Sequence, residues 1–115
     1  MQSLHGIMPA LITPQAEDGS VNTTVLRELI DYHIDKAVDG FYVCGSTGEG
    51  IYMSVADRKL VTEICAEHIN GRVPFIVHTG TVAITDAIEL AIHAQVVFCP
   101  QLIAPARALS SILKH

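Results

Sequence analysis

The sequence predicts an α/β fold built on a parallel sheet. Short, β-favouring apolar runs alternate with stretches of helical periodicity, the connections between them are brief, and glycine-bearing turns stand where the runs end. Strand, helix, strand, helix, strand, helix in that order is the pattern of consecutive βαβ units with right-handed crossovers. Two architectures use such units, the doubly wound sheet and the (β/α)8 barrel. Neither is complete in 115 residues of this pattern, since a barrel needs roughly 250 to close.

Residues 6–12 (GIMPALI) form an apolar run closed by Thr13-Pro14, read as a first strand buried on both faces. Asn22 is placed to cap a helix reaching about residue 36, with Val25, Leu29, Ile30, Ile34 and Ala37 at helical spacing. Asp39-Gly40 turns the chain back into a second strand, residues 41–44 (FYVC). Residues 45–50 (GSTGEG) read as a loop, because so much glycine weakens either regular structure. Ser54, with Asp57 in place of the usual Glu or Gln, resembles a capping box. The helix it opens carries Val55, Leu60, Val61, Ile64 and Cys65 inward and stops at Asn70-Gly71. Residues 73–78 (VPFIVH) are the third strand, with Pro74 near its start, where a missing amide hydrogen is tolerated. Thr85 is expected to cap a third helix running to about residue 95 through Ala87, Ile88, Ala91 and Ile92.

In both architectures ligands are held by the loops leaving the carboxyl ends of the strands. Those loops are Thr13-Pro14, residues 45–50 and Thr79-Gly80. The second is the informative one: glycine lets backbone amides approach an anion closely, and the hydroxyls of Ser46 and Thr47 add donors, so GSTGEG either clasps a small carboxylate or merely connects strand to helix. A phosphate-binding P-loop is excluded because no GK[ST] follows, and the GxGxxG spacing of a dinucleotide site is missing. His78, at the exit of the third strand, either touches a ligand or packs. Glu49 is expected to fix the loop or the following helix start through hydrogen bonds rather than to act as a base.

The runs GIMPALITP, DGFYVCGSTGEG, Ser54-x-x-Asp57-Arg58 and VPFIVHTG, at matching intervals over about residues 4–95, resemble the start of the N-acetylneuraminate lyase and dihydrodipicolinate synthase family. The resemblance implies an incomplete TIM (β/α)8 barrel, its first three βα units in residues 1–95, followed by an unrelated tail in residues 96–115. Ser46 and Thr47 match the positions that hold the carboxylate of pyruvate; Thr13, Gly45, Gly48 and His78 are candidates to line the same site. GSTGE rather than GTTGE, and His78 before Thr79-Gly80, lean towards the neuraminate lyase side. Members of the family are commonly tetramers and are class I aldolases, carbon–carbon lyases that need no separate cofactor because a lysine on the sixth strand forms an imine with pyruvate. A tyrosine after the fourth strand moves protons.

This chain departs from that pattern. Lys36 and Lys59 fall on helices of the outer ring and Lys114 in the tail, while Tyr32, Tyr42 and Tyr52 match no proton-shuttling position. Ala37 stands where relatives commonly end the first helix with glycine, and is expected to resist a left-handed cap and alter the turn. After residue 95 the resemblance stops; residues 96–99 (VVFC) are a candidate short strand and residues 106–113 a candidate helix. Without an imine there is no electron sink for the carbanion, so the expectation is a truncated, non-catalytic remnant. Its alternative is a folded carboxylate-binding or split-barrel subunit that needs a partner chain, or a homo-oligomer. A third reading is a flavodoxin-like interaction module, which requires strand order 2-1-3.

The resemblance implies a small 2-oxo acid, pyruvate, as the partner, and composition speaks against the larger partner classes. Net charge is -5 and the basic residues are scattered, so no stripe exists to neutralise a phosphate backbone, and nucleic-acid binding is not expected. No apolar stretch reaches the roughly 20 residues of a membrane helix, and no export signal is visible at Met1, so a cytoplasmic location is expected. Cys44, Cys65 and Cys99 are too widely spaced for a CxxC metal site and read as reduced thiols, Cys44 beside the loop but buried. The six histidines show no HxxxH or HExxH spacing, so no metal is expected.

Overall fold

Asn22 sets the start of the first helix. In the computed structural model, which describes residues 4–98, its side-chain oxygen accepts from the Val25 amide at 3.1 Å. That bond satisfies one of the amides a helix leaves unpaired at its start, and α1 follows as Thr23–Asp35. Leu26 and Ile30, one turn apart, are its fully buried residues.

The end of α1 corrects one expectation. Ala37 does not alter the turn; it takes the left-handed conformation itself, with φ 63°. Its amide donates to the Ile34 carbonyl at 2.9 Å and the Val38 amide to the His33 carbonyl at 3.4 Å, the bond pair of a glycine-type helix terminator. The strand that follows must be reached in a short connection, and that need overrides the alanine's preference at a cost of about 1 kcal/mol. Ala37→Gly is therefore expected to raise the unfolding free energy by about 1 kcal/mol, read as a higher urea midpoint at unchanged slope. An equal or lower midpoint would mean that the turn carries no strain.

The strands are shorter than the apolar runs. β1 is Phe41–Val43 and β2 is Phe75–Val77, paired in parallel with Phe41 opposite Phe75 and Val43 opposite Val77. The expected first strand is an extended segment that meets β1 at the single bridge Ala10 to Tyr42. The Tyr42 amide donates to the Pro9 carbonyl and the Leu11 amide to the Tyr42 carbonyl, each at 2.9 Å. The ladder cannot lengthen. On one side Pro9 has no amide hydrogen to give; on the other Cys44, with φ 59°, turns the neighbouring chain away. The second strand thus lies between the first and the third, which excludes the 2-1-3 order of the flavodoxin-like reading.

Helices cover one face of this sheet. α2, Val55–Ile69, begins where expected, the Ser54 hydroxyl accepting from the Asp57 amide at 3.0 Å, and ends at Asn70 in the left-handed conformation. Phe41 and Val43 point into a core with Leu11, Leu26, Ile30, Val61, Ile64, Cys65 and Ile69. Tyr42, between them in sequence, faces the opposite way and is half-buried. Ile12, near the end of the first segment, is 57% exposed.

α3 departs from the predicted bounds at both ends. It spans Ile84–Phe98, so Thr85 lies in its first turn rather than capping it, and the Ala83 carbonyl accepts from the amides of Asp86 and Ala87. Val96, Val97 and Phe98 continue the helix instead of opening a strand, because Phe98 gains a ring partner in Phe75 at 4.4 Å between centroids. The boundary expected between residues 95 and 96 therefore falls inside α3. Cys99 and the candidate helix at residues 106–113 lie outside the described residues. Lys59 to Glu89 at 3.1 Å and His93 to Glu63 at 2.9 Å tie α3 to α2.

Candidate functional site

The chain leaves β1 through Cys44 and makes one closed turn over residues 45–50. The Gly50 amide donates to the Gly45 carbonyl at 3.1 Å and the Glu49 amide to the Ser46 carbonyl at 3.0 Å, with Glu49 left-handed at φ 59°. This is the same bond pair that ends α1, here closing a single turn on itself. Glycine is required at three points for want of space, Gly50 among them, because a Cβ there would collide with the Cys44 carbonyl oxygen. A Cβ on Gly48 would stand 2.9 Å from the Leu11 carbonyl oxygen, and one on Gly45 would stand 2.4 Å from a Tyr42 ring carbon.

The closure decides which groups are free. Ser46 and Thr47 are exposed at the tip, while Gly45 and Gly48 are buried beneath them. The amides of Ser46, Thr47 and Gly48 have no acceptor among the described residues. Successive amides left open at the start of a turn, beside hydroxyls, present concentrated donors to an anion. Glu49 does not fix the loop as expected: it makes no side-chain cap bond and is exposed, and its part is played by its left-handed backbone alone.

His78 is exposed at the end of β2, and its Nδ1 is 3.2 Å from the Tyr42 hydroxyl. Because the Tyr42 ring also lies over Gly45, that side chain joins the two loops. Thr13 is buried, 6% exposed, at the end of the first segment, and is not open to a ligand as Ser46 and Thr47 are. The predicted site residues thus divide: Gly45, Ser46, Thr47 and Gly48 share one turn, His78 is brought beside it, and Thr13 lies beneath.

Sequence reasoning missed two residues. Tyr42 carried a signal, since a residue between two inward-facing strand positions must face the other side of the sheet. Arg58 belongs to the run Ser54-x-x-Asp57-Arg58 that carries the resemblance, but its role was not legible, because an arginine on a helix reads as a solvated residue. It is 2% exposed, and its guanidinium donates to the His78 carbonyl at 2.6 Å and the Gly80 carbonyl at 2.9 Å. Those bonds hold the loop after β2 onto α2.

Burial pushes the Cys44 thiol up, against the pull of the nearby Arg58 charge. Cys65 is pushed up to about 12, by burial first and then by Cys44. Both are buried free thiols, inert packing residues as expected rather than nucleophiles. Lys59 is held by Glu89, and Lys36 lies 5.6 Å from the Tyr32 ring centre on the outer side of α1, so neither attends the turn. Among the described residues no cluster of three or more His, Cys, Asp or Glu could hold a metal, and no helix is long and apolar enough to cross a membrane.

With this geometry in place, the likeness to known proteins is specific. The model of the dihydrodipicolinate synthetase family matches residues 3–98. N-acetylneuraminate lyase of Salmonella paratyphi B is 39% identical over 94 residues, which cover 82% of this chain and 32% of that protein. Among solved structures, N-acetylneuraminate lyase from Fusobacterium nucleatum is 42% identical with a TM-score of 0.77, over 80% of this chain and 32% of that one. A prophage protein of the dihydrodipicolinic acid synthase family from E. coli K12, solved in complex with pyruvate, is 33% identical with a TM-score of 0.79, over 82% of this chain and 32% of that one. The chain thus spans about a third of the length of the relatives it matches.

Proposed function

The chain belongs to the dihydrodipicolinate synthetase family, and on that premise we propose that residues 45–50 are the carboxylate-holding wall of a pyruvate-handling site of the class I aldolase type. One observation supports the reading: the exposed Ser46 and Thr47, with their hydroxyls, and the open amides of Ser46, Thr47 and Gly48 belong to one closed turn at the carboxyl end of β1. That is where parallel α/β folds hold their ligands. A relative solved with pyruvate supports a 2-oxo acid as the ligand.

In this reading the described segments are the first βα units of a (β/α)8 barrel. Their open face, with Tyr42 and the 57% exposed Ile12, is the inner wall. Parallel sheets are covered on both faces, so the further units, in a continuous or a second polypeptide, pack there. They also bring the imine-forming amine, since Lys59 and Lys36 sit on helices away from the turn. Residues 1–115 alone therefore bind without turning over.

Pyruvate and borohydride are accordingly expected to leave no adduct on the 115-residue chain, by intact mass. Pyruvate alone should move the amide resonances of Ser46, Thr47 and Gly48, and Ser46→Ala with Thr47→Val should weaken that binding about a hundredfold, the loss of two hydrogen bonds to a charged group. An adduct on Lys36, Lys59 or Lys114, or unmoved turn amides, contradicts the reading.

A further inference from the structure

Tyr42 and His78 take no part in the carboxylate contacts, yet they are the polar side chains that join the two strand-end loops. We infer that they form a second binding element, in which Tyr42 is a positioning residue and the Nε2 hydrogen of His78 donates to the oxo oxygen of a 2-oxo acid whose carboxylate lies on residues 45–50. The inference rests on the carboxylate reading above and deepens it.

The tautomer follows from basicity. Across the 3.2 Å contact either the phenol donates to Nδ1 or Nδ1 donates to the phenol oxygen. An imidazole nitrogen is far the better acceptor, its conjugate acid losing a proton near pH 6.5, whereas a phenol oxygen is a weak base and its O–H a good donor. The Tyr42 hydroxyl therefore donates to Nδ1, which leaves the hydrogen on Nε2. His78 is exposed, and Nε2 has no partner among the described residues, so that hydrogen is available to a ligand.

Placement follows from the glycines. A Cβ on Gly45 would meet the Tyr42 ring at 2.4 Å, and one on Gly80 would meet His78 Nε2 at 2.9 Å. The Tyr42 ring is thus wedged against the start of the carboxylate turn at one edge while its hydroxyl holds the imidazole. No more than one aromatic side chain separates Gly45 from His78. Gly80 keeps the Nε2 edge clear, where any larger residue would crowd it. Arg58, binding the His78 and Gly80 carbonyls, fixes the backbone from which the imidazole projects. A small acid with oxygen at both its first and second carbons is the ligand class that uses both elements.

The test compares pyruvate with acetate, which has the carboxylate and lacks the oxo oxygen, by titrating the labelled 115-residue chain and following the amides of Ser46, Thr47 and Gly48. Pyruvate is expected to bind about tenfold more tightly than acetate. Tyr42→Phe, which keeps the ring over Gly45, should shrink that preference severalfold; His78→Leu should abolish it. The ring nitrogen shifts of His78 supply a readout that packing alone would not move: a hydrogen on Nε2 in the wild type, and a mixture of tautomers in Tyr42→Phe. Failure of both anions to move the turn amides overturns the carboxylate subsite and this role with it. Equal affinity for the two anions in the wild type leaves the subsite standing and overturns the role of His78, a comparison that depends on no variant folding. A hydrogen on Nδ1 overturns the positioning role of Tyr42.

Discussion

Arg58→Leu is expected to lower the unfolding free energy by about 3 kcal/mol and to loosen the loop after β2. The guanidinium is buried and donates to the carbonyls of His78 and Gly80, bonds from a charged group worth roughly 1.5 to 3 kcal/mol each. Leucine fills the space of the stem but leaves both carbonyls without their donor. Part of the loss is offset, because water reaches the exposed His78 and because one guanidinium nitrogen, Nε, is buried without a partner and gains nothing from its burial. Arg58→Lys should recover less than half, since a single ammonium cannot serve two carbonyls as the planar fork does. Urea unfolding measures the loss, and hydrogen exchange at residues 78–80 measures the loosening. A loss under about 1 kcal/mol in the leucine variant would show that these bonds are not what holds the loop.

The second large effect is alkaline. The Cys65 thiol, with an ordinary value of 9.0, is pushed up to about 12 in the folded chain by burial. Above pH 9 the unfolded chain releases this proton while the folded chain keeps it. Stability is therefore fully present below pH 9 and falls by about 1.4 kcal/mol per pH unit until the folded thiol ionises near 12. Integrated over that window the loss approaches about 4 kcal/mol, a large part of the total stability of a small domain. Cys44 is displaced in the same direction and adds to the fall. Cys65→Ala costs stability at neutral pH through the space it leaves, but should flatten the slope between pH 9 and pH 11. If the variant and the wild type lose stability in parallel over that range, ionisation of Cys65 is not the cause.

These predictions separate two kinds of information. The turn at residues 45–50 was legible as a loop with free donors because its glycines and hydroxyls act within a few positions of one another. The caps at Asn22 and Ser54 were legible for the same reason, each bonding an amide three residues on. The face taken by Tyr42 was implicit in strand alternation, though its partner was not: His78 lies 36 positions away, and nothing local points from one to the other.

Hydrogen bonds that close within one turn of chain are chosen by the residues in that turn, so the order of the elements, the starts of α1 and α2 and the open turn after β1 are properties of the sequence. Contacts between distant segments are chosen by packing, which answers to the whole core. Packing buried Arg58 under a loop 20 positions on, forced Ala37 into a conformation its side chain disfavours, and carried α3 three residues past its expected end so that Phe98 could meet Phe75. Local preferences differ by about 1 kcal/mol per residue, and a ring contact such as that of Phe98 with Phe75, of similar size, is enough to tip them.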